Sequence, residues 1–448
     1  MKKIYEGNVK KNFFVFAFPL VLAILFSQAY DIINTIMSGN LIGEEAISAM
    51  GSTRPFTTLI SSTFWGYGTG FSIYVAFLFG RSDYKKMLNV IKINMLFSSA
   101  LLILVSVFCI GFHEMIFDIL NIEEALRKDA FSYFSVYMGG LVVMNFARCG
   151  IYISNALGVT FLPFVTSIIT NVINIVGNYV LIKYCGLGIM GTAIATCISS
   201  TVVSVMYIVF FIRIFKKLGL KLGGIYFNLN EIRRSLEYAI PTTLQQSVMY
   251  ICSAAESPLT NLCGQTAISG FTVGMQLYDL NAGIYQSSNK TVSNYIAQCI
   301  GAGKHSEIKK GIKIGLTQTM LFLLPFLVTT VLFASPIADA FLESEESLHY
   351  AKIFLQFCLP FAIFNCINNL MHAVFRSVGA SGYLIISTLV YSVSRIIFSY
   401  TLFAKFEIYG IFAATVLSWV TEALFITIIY FSGKWKSAEY KRLEGCVS

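Results

Sequence analysis

The chain has 448 residues, of which 56% are hydrophobic and only 12% are charged, and its formal net charge is +9. Soluble domains carry about 25% charged residues. The shortage extends over the whole sequence, so we expect no soluble domain. The ten cysteines are scattered through apolar segments, without a CxxC pair or a Cys/His cluster. This distribution favours reduced, buried thiols over disulfides or a metal site.

Apolar runs long enough to cross about 30 Å of hydrocarbon recur along the chain. They are continuous rather than alternating, which predicts helices instead of a β-barrel. The first run is too long for a signal peptide, and no soluble domain follows it, so we expect it to be a span. Twelve spans are predicted, near 12–38, 53–79, 92–113, 132–155, 161–184, 188–214, 236–262, 270–298, 313–336, 350–376, 383–404 and 409–432.

Basic residues are concentrated on one side of the predicted topology. Of 32 Lys and Arg, 23 lie before span 1, after spans 2, 6 and 8, at the end of span 10 or in the C-terminal tail. Six lie in the opposite loops, and Arg148, Lys290 and Arg395 fall inside spans. The positive-inside rule therefore places both termini in the cytoplasm of a multi-pass cell-membrane protein. The positive charge reflects orientation and contact with membrane lipid, so we expect no nucleic-acid partner.

The sequence contains an internal repeat. AFLFGRSDYKKMLNVIKI (76–93) resembles AQCIGAGKHSEIKKGIKI (297–314), 221 positions later, and Pro19 matches Pro241. The repeat therefore predicts two parallel halves of six spans each, an arrangement in which substrate sites lie between the halves. The predicted domains are an N-terminal lobe (1–214), a basic cytoplasmic linker (215–235) that includes a surface helix, a C-terminal lobe (236–432) and a cytoplasmic tail (433–448).

Polar residues inside the spans share helix faces. They are Asp31, Asn34 and Thr35 in span 1, Asn171, Asn174 and Asn178 in span 5, Gln246 and Glu256 in span 7, Asp279 and Lys290 in span 8, and Asn368, His372 and Arg376 in span 10. Amides and hydroxyls in such places often join helices to each other. A buried carboxylate instead pairs with a base, titrates or binds a cation. Arg148 is a possible partner of Asp31, and Lys290 of Glu256 or Asp279.

Motifs for enzyme chemistry are missing from the sequence. There is no GxxxxGK[ST], HExxH or nucleophile elbow, and the four histidines are solitary. We therefore expect no enzyme, and a structural role for His372 beside Arg376. The aromatic content of 15% and the 14 Met are typical of an adaptable wall for flat, lipophilic ligands, although ordinary membrane packing has the same composition.

The sequence resembles the multidrug and toxic compound extrusion (MATE) family, within the wider multidrug/oligosaccharidyl-lipid/polysaccharide exporter superfamily. The resemblance lies in PLVLAILFSQAYDIINTIMSGNLIGEEAISAMG, in AQCIGAGK after span 8, and in GLGIMGTAIATCIS of span 6. It implies an all-α polytopic protein of twelve transmembrane helices in two parallel-repeat six-helix lobes, a V-shaped bundle with a central cleft. It also implies a monomer without cofactors that exports lipophilic, cationic small molecules by antiport of Na⁺ or H⁺.

The first span departs from the family pattern. The family has a sequence like YN-I-V-D-T, whereas this chain reads YDIINT at 30–35, so Asn34 occupies the position of the family carboxylate. Asn178 likewise stands where the family often has Asp. Our hypothesis is that Asp31 has taken over the charge, one helical turn away on the same face.

A carboxylate at Asp31 surrounded by the amides of Asn34, Asn174 and Asn178 would suit Na⁺, which prefers oxygen ligands. A lone carboxylate would suit H⁺ equally well. Further candidates for coupling or for binding a cationic substrate are Glu256 and Asp279. The polar stripes in both halves also predict a polar cleft between them, lined by Thr35, Asn171, Gln246, Lys290, Asn368 and Arg395.

The predicted function is therefore secondary active export by alternating access. The alternatives are a lipid-linked precursor flippase or a narrow metabolite exporter of the same superfamily, and a membrane protein that transports nothing. A flippase needs a strongly cationic cleft for pyrophosphate, and only Arg148, Lys290 and Arg395 are available inside the spans. The sequence leaves open the physiological substrate, the coupling ion and its stoichiometry.

Overall fold

The computed structural model describes residues 3–42, 44–220, 223–224, 226–339, 341–342 and 344–436, without the side chains of residues 29, 31–40, 42 and 44–48. The described residues form helices joined by short turns. The helices are α1 Val9–Ile42, α2 Glu44–Gly80, α3 Tyr84–Gly111, α4 His113–Ile119, α5 Glu124–Ala156, α6 Phe161–Lys183, α7 Gly188–Lys217, α8 Leu229–Asn261, α9 Gln265–Gly301, α10 Glu307–Leu332, α11 Ala334–Asp339, α12 Glu345–Cys358, α13 Ala362–Val378 and α14 Ser381–Ser432.

The twelve predicted spans coincide with this helical pattern, and the predicted all-α fold is confirmed. Within the described residues, eight helical segments are long and apolar enough to cross a membrane, by length and composition. Helices α2, α8 and α9 are not among the eight. Helices α8 and α9 carry much of the polar sequence noted above, including Glu256, Asp279 and Lys290.

The structure differs from the predicted spans in two details. Span 10 is divided into α12 and α13 by a 3₁₀ turn at Leu359–Phe361, where Pro360 has no backbone N–H to donate. Spans 11 and 12 form one helical element, α14, which is broken at Glu407 (φ 50°, ψ −127°).

Two short helices and the start of α8 also differ from the predicted spans. Two short helices, α4 and α11, were missed, and they begin 221 positions apart, at His113 and Ala334, as the repeat requires. The surface helix expected in the linker is the start of α8, which continues without interruption into span 7.

Contacts divide the chain into two compact units. Unit 1 consists mainly of Leu25–Ala239, and unit 2 of Lys2–Ile24 together with Ile240–Ser448. In unit 1, α5 packs against α2, α3 and α7, and α6 packs against α7. Gly150 of α5 allows the ring of Tyr207 on α7 to approach closely, since a Cβ there would lie 2.3 Å from the ring. Small residues at such crossings are typical of helix packing in membranes.

Unit 2 is built around α9, which packs against α10, α12 and α13, while α13 packs against α14. The start of α1 belongs to this unit by its contacts. The backbone N–H of Ile4 donates to Gln298 Oε1 at 2.9 Å, and Gln318 Nε2 donates to the carbonyl of Phe13 at 3.0 Å. These polar contacts hold the segment before α1 on α9, and the first turns of α1 on α10.

Candidate functional site

The polar stripe on α6 is held against α7 in unit 1. Asn174 is 3% exposed, and its Nδ2 donates to Ser199 Oγ at 2.6 Å. Its Oδ1 accepts a hydrogen bond from Thr196 Oγ1 at 3.2 Å. Donor and acceptor are both used, so Asn174 joins α6 to α7 in this conformation. Asn178, one turn further along α6, is also buried.

The same helix contacts α1 through Asn171. Its Nδ2 donates to the carbonyl of Phe26, 3.2 Å away. The α1 backbone continues as a helix through the family-like segment at 30–35. The side chains of Asp31, Asn34 and Thr35 lie outside the described residues. Their expected cluster with the α6 amides therefore stays a prediction.

Arg148 lies on α5 and is half-buried. Its Nη1 donates to the backbone carbonyl of Ser61 on α2 at 3.3 Å. Within the described part of the chain, it forms no ion pair with a carboxylate. A guanidinium held by a neutral carbonyl keeps its full charge inside unit 1.

In unit 2, Glu256 and Arg395 form a buried, two-point ion pair between α8 and α14. Arg395 Nε donates to Glu256 Oε1 at 2.9 Å, and Nη2 donates to Oε2 at 2.7 Å. Ser399 Oγ donates to Oε1 as well, at 2.6 Å. The two charged residues are 9% and 6% exposed. The guanidinium and hydroxyl together satisfy the carboxylate, and Lys290 is not its partner.

Asp279 and Lys290 lie on one face of α9 but are too far apart to pair. They are eleven positions apart in the sequence, which corresponds to about 16 Å along a helix. Asp279 is exposed on unit 2, and Lys290 is half-buried. Neither takes part in an ion pair within the described residues. Within the described part of the chain neither charge has a counter-ion, so both groups are candidates for binding a charged ligand.

Amides and phenols line the neighbouring face of unit 2. The hydroxyls of Tyr278 and Tyr285 on α9 lie 2.8 Å apart, and Asn365 Nδ2 of α13 donates to both. Asn368 Nδ2 donates to the carbonyl of Trp419 at 3.0 Å. Gln246, a predicted cleft-lining residue, is half-buried.

Sequence reasoning missed two residues of a second buried cluster. Glu422 of α14 is 2% exposed, and its Oε1 lies 2.9 Å from His372 Nε2 on α13. Gln245 of α8 contacts the other ring nitrogen of His372 at 2.9 Å. The signal for Glu422 was available, because it is a carboxylate inside the apolar run 409–432. The choice of Gln245 over Gln246 depends on which face of α8 meets α13.

The polar clusters of the described residues are not arranged as a metal-binding site. Among the described residues, no group of three or more His, Cys, Asp or Glu side chains could hold a metal ion. The Asn174 amide is engaged by neighbours on α7, and Glu256 is fully occupied by Arg395 and Ser399. Among the described residues, Asp279, Lys290, Arg148 and the His372–Glu422 cluster lack a permanently charged partner.

One family model, MatE, matches the chain twice, over residues 19–180 and 241–401. The chain belongs to the MatE family. The two matches begin at Pro19 and Pro241, the prolines that aligned in the internal repeat, so the halves are two copies of one unit. The family resemblance noted from the sequence is thereby confirmed.

Curated relatives of this MatE chain share about one fifth of its residues. A probable multidrug resistance protein of Bacillus subtilis, YoeA, is 22% identical, over 99% of this chain and 97% of the relative. An FAD transporter of Shewanella oneidensis is also 22% identical, over 75% of each chain. The multidrug export protein MepA of Staphylococcus haemolyticus is 20% identical, over 84% of this chain and 82% of its own.

Solved structures share the fold over nearly the full length. A MATE structure in complex with MaL6 superposes with a TM-score of 0.89 and 18% identity, covering 97% of this chain and 98% of the other. A mutant of the Vibrio cholerae MATE transporter VcmN gives a TM-score of 0.88 and 17% identity, covering 97% of each chain. A Pyrococcus furiosus transporter described as having a binding pocket of reversed polarity gives 0.88 and 18%, covering 98% of this chain and 100% of the other.

Proposed function

We propose that this protein is a secondary active exporter of lipophilic, cationic small molecules that works by antiport of H⁺ or Na⁺. The observation that carries the proposal is the double match to the MatE family across an all-helical membrane fold. Relatives along most of the chain are named multidrug resistance or multidrug export proteins. On this proposal the protein works by alternating access as a monomer in the cell membrane, with both termini in the cytoplasm.

Coupling requires a group whose occupancy changes between the inward-facing and outward-facing states. In the first half of the chain, we assign this role to Asp31, one turn before the family position at Asn34. Neutral oxygens of Asn34, Asn174 and Asn178 would assist a Na⁺ ion, whereas a proton needs only the carboxylate. In the second half, Asp279 carries a charge without a partner among the described residues. It suits a cationic substrate.

A second candidate is a narrow exporter of an anionic metabolite. Arg148 and Lys290 are half-buried cations that form no ion pair within the described ranges. Such groups attract phosphate or carboxylate. The Shewanella oneidensis relative is named an FAD transporter, which adds weight to this candidate. It stays second because the relatives with greater coverage are named for multidrug resistance or export.

The first experiment measures uptake of a fluorescent organic cation into everted vesicles that contain the protein. A proton gradient and a sodium gradient are imposed in separate runs. We expect one of them alone to drive uptake, and Asp31→Asn to abolish it without loss of membrane insertion. The double variant Asp31→Asn with Asn34→Asp places the carboxylate at the family position and should restore uptake. Normal uptake by Asp31→Asn at equal expression would refute the assigned role.

A separate experiment tests the export of an anionic metabolite. Vesicles are loaded with radiolabelled FAD and tested for exchange, with Lys290→Gln as the variant. Loss of FAD exchange in Lys290→Gln, together with no cation uptake by the wild type, would replace drug export by metabolite export. Retained cation uptake without FAD exchange would exclude the second candidate.

A further inference from the structure

Unit 2 contains two buried glutamates with different kinds of partner. Glu256 is held by Arg395, a guanidinium that stays charged at any physiological pH. Glu422 is more deeply buried, but its neighbour is His372, whose charge depends on a proton. Burying a carboxylate without a permanent counter-charge costs free energy. The first pair is therefore fixed in charge, and the second is not.

Hydrogen bonding determines the state of His372 in this conformation. Arg376 Nη2 donates to Gln245 Oε1 at 2.9 Å, and a guanidinium can only donate. The amide nitrogen of Gln245 therefore faces His372 Nδ1, 2.9 Å away, and donates to it. Nδ1 must then be unprotonated. The imidazole is neutral, with its proton on Nε2.

The Nε2 proton is used by a serine rather than by the carboxylate. His372 Nε2 lies 3.0 Å from Ser387 Oγ, which itself donates to the carbonyl of Leu384 and so can accept. Glu422 Oε1 is 2.9 Å from Nε2, yet it accepts no well-aligned hydrogen bond from any described residue. A buried carboxyl oxygen without a donor is rare in folded proteins. A proton on the carboxyl group would remove the cost of burying this oxygen as a charge without a donor.

A single proton can occupy this cluster in two arrangements. On Glu422 it leaves the carboxyl and the imidazole neutral and keeps the present hydrogen bonds. On His372 Nδ1 it meets the amide nitrogen of Gln245, so two donors face each other. Gln245 must then turn its amide, which presents Nε2 to Arg376 and ends that contact. Moving one proton therefore switches the contact between α8 and α13.

Other charged groups surround the cluster at greater distance. On α14, Tyr391 lies within electrostatic range of Glu422 and of the Glu256–Arg395 pair. Helix α9, packed on α13, carries Asp279 and Lys290, and α10 carries Glu307, Lys309, Lys310 and Lys313 in its first turns. On α13 itself, Arg376 is the nearest charge, and α8 contributes the neutral Gln245. Among the described residues, Gln245 links Arg376 to His372 by hydrogen bonds, and Glu422 adjoins this link through His372.

We propose that Glu422 is a proton-binding carboxyl group inside unit 2, and that His372, Gln245 and Arg376 are positioning residues whose hydrogen bonds rearrange, α8 against α13, when the proton of the cluster lies on His372 Nδ1 instead of on Glu422. Hydronium gives its proton to a carboxylate oxygen and becomes water, and in the reverse step water takes the proton back as hydronium, so that only O–H bonds are made and broken. The use of this proton to drive export depends on the proposed function, whereas proton binding itself does not.

The direct test is pH-induced infrared difference spectroscopy on the full-length protein in lipid. We expect a carboxylic-acid C=O band to appear on acidification and to be missing in Glu422→Gln. Glu237→Gln, which removes a half-exposed surface glutamate, should leave the band unchanged. A wild-type spectrum without a titrating buried-acid band would overturn the proposal without reference to any variant. A band that persists in folded Glu422→Gln would overturn it as well.

A second variant covers the case in which Glu422→Gln does not fold. His372→Asn keeps an amide for hydrogen bonding but removes the titrating ring, and it should shift the pH midpoint of the band by more than tenfold in proton concentration. An unmoved midpoint assigns the band to another carboxyl group and refutes the proposal.

The transport assay separates this proposal from the proposed function. If the band belongs to Glu422 and the wild type transports no organic cation, the proton site stands and drug export fails. If the wild type transports and Glu422→Gln retains its full proton-driven uptake, export stands and the coupling role of Glu422 fails. We expect Glu422→Gln to lose proton-driven uptake while it retains counterflow exchange of the fluorescent cation.

Discussion

Removing either member of the Glu256–Arg395 pair should strongly destabilise the protein. Removing one member of a buried ion pair leaves an uncompensated charge, which costs about 3–5 kcal/mol. The pair is 9% and 6% exposed and is bonded at two points, so little water can replace the lost partner. We therefore expect Glu256→Leu and Arg395→Met to be severely destabilised as single variants.

The double variant should recover much of that loss. An apolar pair of similar volume replaces the ion pair with little or no cost in other proteins. Only Ser399 Oγ then loses its acceptor, at about 1 kcal/mol. The double variant should therefore lie within about 1–2 kcal/mol of the wild type, a strongly non-additive result.

The assay is thermal unfolding in a fixed detergent, followed by fluorescence-detected size exclusion. For a unit of about 200 residues, 1 kcal/mol corresponds to about 2–4 °C in Tm. Each single variant should therefore lower Tm on the order of 10 °C, and the double variant by a few degrees. Single variants with an unchanged Tm would refute the reasoning. They would make Glu256 a titrating candidate again, and uptake assays on the same variants would then test it for coupling.

Two smaller predictions concern unit 1. Gly150→Ala should destabilise by about 1–3 kcal/mol, because its Cβ would lie 2.3 Å from the Tyr207 ring, whereas Gly139→Ala meets nothing within 4 Å and should be neutral or stabilising in thermal unfolding. An equal Tm for both would contradict the close packing of α5 on α7. Asn89→Ala should speed limited proteolysis near Tyr226. The Asn89 side chain on α3 donates to the carbonyl of Tyr226 at 2.6 Å and accepts from its backbone N–H at 3.0 Å, which holds this segment on α3. An unchanged cleavage rate would show that other contacts hold the segment.

The spans and the repeat were predictable because the membrane constrains every residue of a crossing helix. Hydrocarbon demands a continuous apolar run, and that signal is local in sequence. The break at Leu359–Phe361 and the merging of two spans through Glu407 were not predictable in this way. They depend on how neighbouring helices supply contacts to a bent backbone, which hydropathy does not record.

The contact partners of the polar residues could not be predicted from the sequence for a related reason. Glu256 and Arg395 are 139 residues apart, and nothing local to either indicates the other. Lys290 was an equally reasonable partner by composition. Gln245 and Gln246 differ by one position, or about 100° around a helix, and only the packing of α8 on α13 decides which one reaches His372.

The repeat gives the two halves equivalent positions with different chemistry. At the offset that aligns Pro19 with Pro241, Glu256 corresponds to Asn34, and at an offset of 221, Arg395 corresponds to Asn174. Unit 2 thus has a buried ion pair where unit 1 has amides, and Asn174 is already bonded to Ser199. Neither arrangement leaves a free charge at these positions.

The carboxylates proposed here to bind the coupling cation lie instead at positions that break the symmetry of the repeat. In the first half this is Asp31, one turn before Asn34. In the second half, Glu422 has only the proton-dependent His372 as its cationic neighbour among the described residues. If Asp31 and Glu422 bind the same transported proton at different steps, losing either one blocks the same cycle. The double variant Asp31→Asn with Glu422→Gln should then show a proton-driven uptake rate no lower than that of the more damaging single variant. Additive losses would instead indicate two independently bound cations per cycle.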